Sequence, residues 1–219
     1  EPSPVNLENI ITFEAGHARH GMLSIYKYPE HECTENCTVN CIGEDSCTYR
    51  RILCGTEDNP VNCDVTCSWD GTGKDMAYWT GYYSVNYLFA GTYYGYPYPP
   101  CNQAEFVIGP GSNLTINGIG QFVLGLATVT ADQNSSVTMN VSADWGLFWA
   151  NIHAADANEL DITVQGEGVL WDADIECPRQ PTASAMEQAL CTVTLVTEES
   201  ERGDFKLDHR ADPDDFNLY

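Results

Sequence analysis

Five side chains between residues 149 and 176 have the chemistry of a binding or catalytic site: Trp149, His153, Asp172, Asp174 and Glu176. An offset of 23 residues relates them, pairing Trp149 with Asp172, Asn151 with Asp174 and His153 with Glu176. If segments stack at that offset, alternation of side chains along a strand puts all five on one outward face. Two carboxylates at a suitable separation, here Asp172 and Asp174, can hydrolyse a glycosidic bond. Trp149 can stack on a sugar ring. Asp172, Asp174 and Glu176 offer the oxygen ligands that Ca2+ takes, the one cofactor this chain suggests. Acidic residues also cover the outside of many soluble proteins. Moreover, residues 102–178 contain no Lys or Arg to neutralise an acidic substrate. A structural surface is therefore the leading reading of this face, calcium or glycan binding the second, and catalysis the third.

The elements that position these groups follow from the same offset. From Ser112 to Cys177 the chain repeats itself every 23 residues. Leu114, Val137 and Leu160 fall together, as do Ile116, Met139 and Ile162, then Leu124, Leu147 and Leu170. Ala127, Ala150 and Ala173 make a further column, beside Val129, Ile152 and Ile175. Within each copy the apolar positions alternate, which is the period of a strand. No copy has room for the helix of a βαβ unit. Repeats of this length that are all strand stack as coils. The expectation is an all-β, single-domain parallel β-helix solenoid of about eight coils over residues 1–207. These are placed near 9–30, 37–56, 63–83, 85–108, 112–131, 135–154, 158–177 and 189–207. The first would use Ile10–Phe13 and Met22–Tyr26 as strands. Regular coils run over 101–177, and an acidic tail over 208–219.

The N-terminal half is rich in cysteine, and all ten are expected in disulfides: Cys33, Cys37, Cys41, Cys47, Cys54, Cys63, Cys67, Cys101, Cys177 and Cys191. Cys177 with Cys191 closes the one long break between the last two coils. Cys37 with Cys63 and Cys41 with Cys67 are the next expectation, because stacked equivalents lie about 4.8 Å apart. Zinc is disfavoured, since the spacings are not C-x2-C and His31 is the only nearby histidine. Cys37-Thr-Val-Asn-Cys41-Ile-Gly-Glu-Asp-Ser-Cys47, followed by a strand ending in Cys54, resembles the cysteine-punctuated β-helix repeats of secreted algal and oomycete proteins. The resemblance covers residues 33–67 and implies a fold; it brings no catalytic residues with it.

Between Ser68 and Cys101 the chain is aromatic, and residues 91–100 are so broken by Gly and Pro that a loop excursion is expected. Tyr93, Tyr94 and Tyr96 in that loop have three readings: packing on their own coil, a subunit interface, or a sugar platform.

Nine Lys and Arg against 32 Asp and Glu give a net charge of −23, which argues against nucleic acid or an anionic membrane as partner. No apolar run is long enough to insert in a membrane. Four sequons, at Asn36, Asn113, Asn134 and Asn140, join the cysteines in pointing to an extracellular glycoprotein. The chain is read as mature, its signal peptide removed. Three functions are carried forward. The first is a non-enzymatic structural glycoprotein that self-associates into a filament, sheath or surface appendage. The second is a module binding extracellular polysaccharide through Trp149 or the tyrosine loop. The third is a hydrolase using Asp172 and Asp174.

Overall fold

The computed structural model describes residues 9–14, 30–43, 46–69, 99–179, 191–196 and 206–207. Among them the protein is all-β, without helix. The strands are β1 (Asn9–Glu14), β2 (Glu30–Cys33), β3 (Cys37–Ile42), β4 (Arg51–Cys54), β5 (Asn62–Ser68), β6 (Glu105–Ile108) and β7 (Asn113–Gln121). They continue as β8 (Thr128–Ala131), β9 (Ser136–Asp144), β10 (Asn151–His153), β11 (Glu159–Gln165), β12 (Asp174–Glu176), β13 (Cys191–Val196) and β14 (Lys206–Leu207).

These strands form two seven-stranded sheets. Odd-numbered strands make the first, in the order β1-β3-β5-β7-β9-β11-β13; even-numbered strands make the second, in the order β14-β12-β10-β8-β6-β4-β2. Every pairing is parallel. The chain thus visits the two sheets in turn, and each visit adds a strand beside the last.

Register makes the columns read from the sequence real. Leu114, Val137 and Leu160 are direct neighbours, as are Ile116, Met139 and Ile162. In the second sheet Phe106, Val129, Ile152 and Ile175 form one column. Burial alternates along the strands, as in β3, β5 and β7, and the inward columns of both sheets merge into one hydrophobic cluster. Fully burying one such Val, Leu or Ile contributes about 1.5–3 kcal/mol, so the stacked columns are the main source of stability.

The coil boundaries expected at 63–83 and 85–108 are corrected. β5 pairs directly with β7, and β4 directly with β6. Among the described residues no strand layer intervenes between them. Residues 70–98, with Tyr93, Tyr94 and Tyr96 of the expected loop, lie outside the described residues, as do Met22–Tyr26 and the acidic tail.

All ten cysteines are paired, with none free. Cys177 bonds Cys191 as expected. Cys37 and Cys63, and Cys41 and Cys67, are register neighbours but are not bonded to each other. Cys33 bonds Cys37, Cys54 bonds Cys63, Cys41 bonds Cys47 and Cys67 bonds Cys101. The reason is directional: register neighbours in parallel strands point the same way, whereas a disulfide needs Cβ atoms that face each other at about 3.8 Å. The bonds instead join residues across the turns. Three span the passage from the second sheet to the first, and two span the passage out of the first sheet.

Candidate functional site

β7, β9 and β11 of the first sheet each leave through an arc whose alternate residues are left-handed. The φ angles are 53°, 61° and 56° at Phe122, Leu124 and Leu126; 56°, 56° and 50° at Trp145, Leu147 and Trp149; and 61°, 61° and 51° at Gly168, Leu170 and Asp172. For a non-glycine residue this costs about 1–2 kcal/mol. Two terms offset it. The left-handed residues send N–H groups to neighbouring layers: Leu147 N–H donates to Val123 O at 3.2 Å, and Trp149 N–H to Trp171 O at 2.9 Å. Meanwhile Leu124, Leu147 and Leu170 are completely buried.

The arc also turns aromatic side chains outward into a second apolar cluster, distinct from the core. Phe122 and Phe148 are buried there, with Leu126, Trp145, Trp149 and Trp171 half-buried against them. Trp149 and Trp171 stack with centroids 5.8 Å apart and planes at 25°. Trp145 meets Trp171 edge-on at 5.6 Å and stacks on Phe122 at 6.3 Å. Glycine makes the room. A Cβ on Gly168 would sit 2.7 Å from the Trp145 ring, and one on Gly125 would enter the Phe148 ring.

Carboxylates border this ridge. The Trp149 indole Nε1–H donates to Asp172 Oδ2 at 3.1 Å. Asp144 Oδ1 accepts the Glu167 backbone N–H at 3.0 Å. Asp172 and Glu167 are exposed and Asp144 half-buried.

The expected single strand face is therefore corrected. Trp149 and Asp172 belong to the arc, because Ala150 and Ala173 donate their N–H groups back to Leu147 and Leu170 and keep the chain turning. Only then do β10 and β12 begin. On these strands the expected register holds: Thr128, Asn151 and Asp174 form one column, and Thr130, His153 and Glu176 the next. Glu176 Oε2 lies 3.7 Å from His153 Nδ1, and its Oε1 lies 3.6 Å from Arg179 Nη2. Arg179 stands one residue beyond the cation-free stretch and escaped the sequence reading. Such exposed pairs contribute about 0–1 kcal/mol.

Among the described residues, the only trios of His, Cys, Asp and Glu ligand atoms within 4.8 Å of one another are cysteines, Cys33/Cys37/Cys63 and Cys41/Cys67/Cys101. All of these sulfurs are in disulfides; metal binding would require free thiolates. Asp172, Asp174 and Glu176 do not form such a trio.

The four sequon asparagines are exposed. Asn36 Oδ1 accepts the Asn62 backbone N–H at 2.9 Å, and Asn113 Nδ2 donates to Asn62 Oδ1 at 2.8 Å. On the outer face of the first sheet, Asn117 Nδ2 donates to Asp64 Oδ1 at 3.0 Å and Asn140 Nδ2 to Asn117 Oδ1 at 3.3 Å. Asn140 lines an open groove of about 400 Å3 with Thr66, Asn117, Ile119, Thr163 and Val196.

Sequence reasoning found Trp149 and missed its companions. Yet the 23-residue offset carries them, since Phe122, Trp145 and Gly168 make one column and Gly125, Phe148 and Trp171 another. No protein-family model matches this chain, and no curated protein or solved structure matches it.

Proposed function

We propose that this protein is a structural subunit of an extracellular filament, sheath or surface appendage, and not an enzyme. On this reading the two sheets are walls of one disulfide-stapled β-helix solenoid, as in the secreted repeat proteins that residues 33–67 resemble. The observation that carries it is the unbroken parallel register of both sheets. Among the described residues, β1 and β13 terminate the first sheet, and β2 and β14 the second. An end strand presents backbone N–H and C=O groups on its outer edge, and such an edge templates another strand. Contact between unlike ends does not close, so it propagates as a filament.

Five disulfides are consistent with an oxidising extracellular setting. Secretion and glycosylation belong to the same proposal. A charge of −23 opposes close approach of subunits; Ca2+ between acidic faces, or salt, would relieve that repulsion. Sedimentation velocity and negative-stain microscopy across ionic strength and Ca2+ test this. Linear assemblies are expected, whereas a monomer under all conditions would end the proposal.

A further inference from the structure

We infer that the aromatic ridge of the arc is a binding site for an uncharged oligosaccharide, with the indoles of Trp149, Trp171 and Trp145 as its floor. The site goes beyond the structural reading and does not depend on it. Burial alone does not explain the ridge. The core is complete without it, because Leu124, Leu147 and Leu170 already fill the inside of the arc. The six outward aromatic and aliphatic residues form a separate cluster, and three tryptophans in it keep part of their surface in water. Contiguous apolar surface of that kind, rimmed by polar groups, marks an interaction site.

The ligand class follows from shape and charge. Trp149 and Trp171 lie on successive layers with nearly parallel planes, so together they offer a stepped surface to the C–H faces of successive pyranose rings. The hydrogen bond from Trp149 to Asp172 holds its indole in place before any ligand arrives, which lowers the ordering cost of binding. Asp172, Asp144 and Glu167 supply acceptors at the border, matching the hydroxyl donors of a sugar. The layers that build the ridge, residues 102–178, contain no Lys or Arg, and the carboxylates of Asp172, Asp144 and Glu167 at its border disfavour a uronate, phosphate or sulfated chain. A quaternary ammonium would be drawn to indoles and carboxylates alike. It needs rings that converge around one point, however, and the Trp149 and Trp171 planes run nearly parallel, at 25°.

The test uses the whole disulfide-bonded chain on an array of neutral oligosaccharides built from glucose, N-acetylglucosamine, mannose, xylose and galactose. The strongest binder is then titrated against intrinsic tryptophan fluorescence. Binding is expected to be insensitive to salt, and Trp149→Ala or Trp171→Ala should each weaken it about tenfold. Thr138→Ala, on the outer face of the first sheet, should leave it unchanged. Hydroxyl-radical footprinting of the wild-type chain needs no variant. There the bound sugar should protect Trp145, Trp149 and Trp171 from oxidation. The inference is overturned if no neutral oligosaccharide binds, if binding proceeds without protecting these tryptophans, or if choline or an anionic oligosaccharide binds more tightly than any neutral one.

Discussion

Cys63 and Leu114 are register neighbours on β5 and β7, pointing into the same core. The Cys63 partner, Cys54, is likewise the register neighbour of Ile108. A disulfide at one turn thus gives way to a buried apolar pair, Ile108 and Leu114, at the next. At the other turn, Cys67 and Cys101 precede Gly118 and Leu124 in the same columns. Covalent and hydrophobic staples serve one geometric position, and the cysteine-rich half is built on the same plan as the regular half.

This interchange predicts how the staples rank. A disulfide stabilises mainly by restricting the unfolded chain, more for a longer loop. Cys67–Cys101 spans 34 residues and Cys33–Cys37 spans 4. Replacing Cys67 and Cys101 together by Ala should cost about 2 kcal/mol more than the same change at Cys33 and Cys37. Replacing Cys54 by Ile and Cys63 by Leu, to copy the next layer, should cost less than replacing both by Ser, which leaves buried hydroxyls. Urea midpoints under non-reducing conditions decide both comparisons. Equal losses for the two alanine pairs would refute the loop-length account.

A second prediction concerns the glycines under the aromatic ridge. Gly168→Ala places a methyl 2.7 Å from the Trp145 ring at a φ of 61°. Overpacking and left-handed strain together should destabilise the protein by about 2 kcal/mol. They should also shift tryptophan emission, because the ring must move. Gly111→Ala shares the positive φ but has 3.5 Å of space to Pro60, so it separates strain from crowding. Similar losses at both sites would show that the ring contact contributes nothing.

What was legible in the sequence, and what was not, divides along physical lines. The strand columns were readable because alternation and the 23-residue offset both report burial, as at Ile116, Met139 and Ile162. The arc was not readable. Leu124, Leu147 and Leu170 carry no mark of a left-handed backbone, which for leucine is held by tertiary hydrogen bonds and not by local preference. For the same reason strand alternation extends to Trp149 and Asp172 in the sequence, whereas the strands begin only at Asn151 and Asp174. Register does not give the disulfide partners, because Cys37 and Cys63, or Cys41 and Cys67, are neighbours whose side chains do not face each other. The break between Cys177 and Cys191, which offered a single closure, was read correctly.

The acid response of the first layers follows from His31. Its imidazole stands in register with Ile52, edge-on to Phe13 at 6.4 Å, and the Arg50 guanidinium lies 4.0 Å over the same Phe13 ring. Burial, then the nearby Arg50 charge, holds the His31 pKa below its usual value; burial also lowers that of Arg50. The unfolded chain therefore binds a proton more readily than the folded one. The contribution of a neutral His31 is fully present above about pH 6.5 and is lost as pH falls through the lowered folded value. His31→Phe should flatten the dependence of the urea midpoint between pH 7.5 and 5. An unchanged slope would assign the acid response to other groups.

The last prediction concerns glycans and assembly together. Asn113, Asn134 and Asn140 are exposed, and glycans are expected on all three. Asn36 is a poorer acceptor, since its sequon includes Cys37, which is bonded to Cys33, and its Oδ1 already accepts the Asn62 N–H. A glycan on Nδ2 leaves one amide proton, so the bonds from Asn113 to Asn62 and from Asn140 to Asn117 can persist. At Asn140 the first sugar would lie along the groove beside Ile119 and Val196, which are 54% and 43% exposed. It would cover apolar surface that otherwise invites side-by-side contact. Intact-mass analysis before and after deglycosylation should show three glycans, and Asn140→Gln should remove one. If the sugar shields this sheet face, the deglycosylated chain and the Asn140→Gln variant should associate laterally into bundles. Asn134→Gln, at a turn, should not. Bundling that is indifferent to Asn140 would mean that this sheet face takes no part in lateral contact.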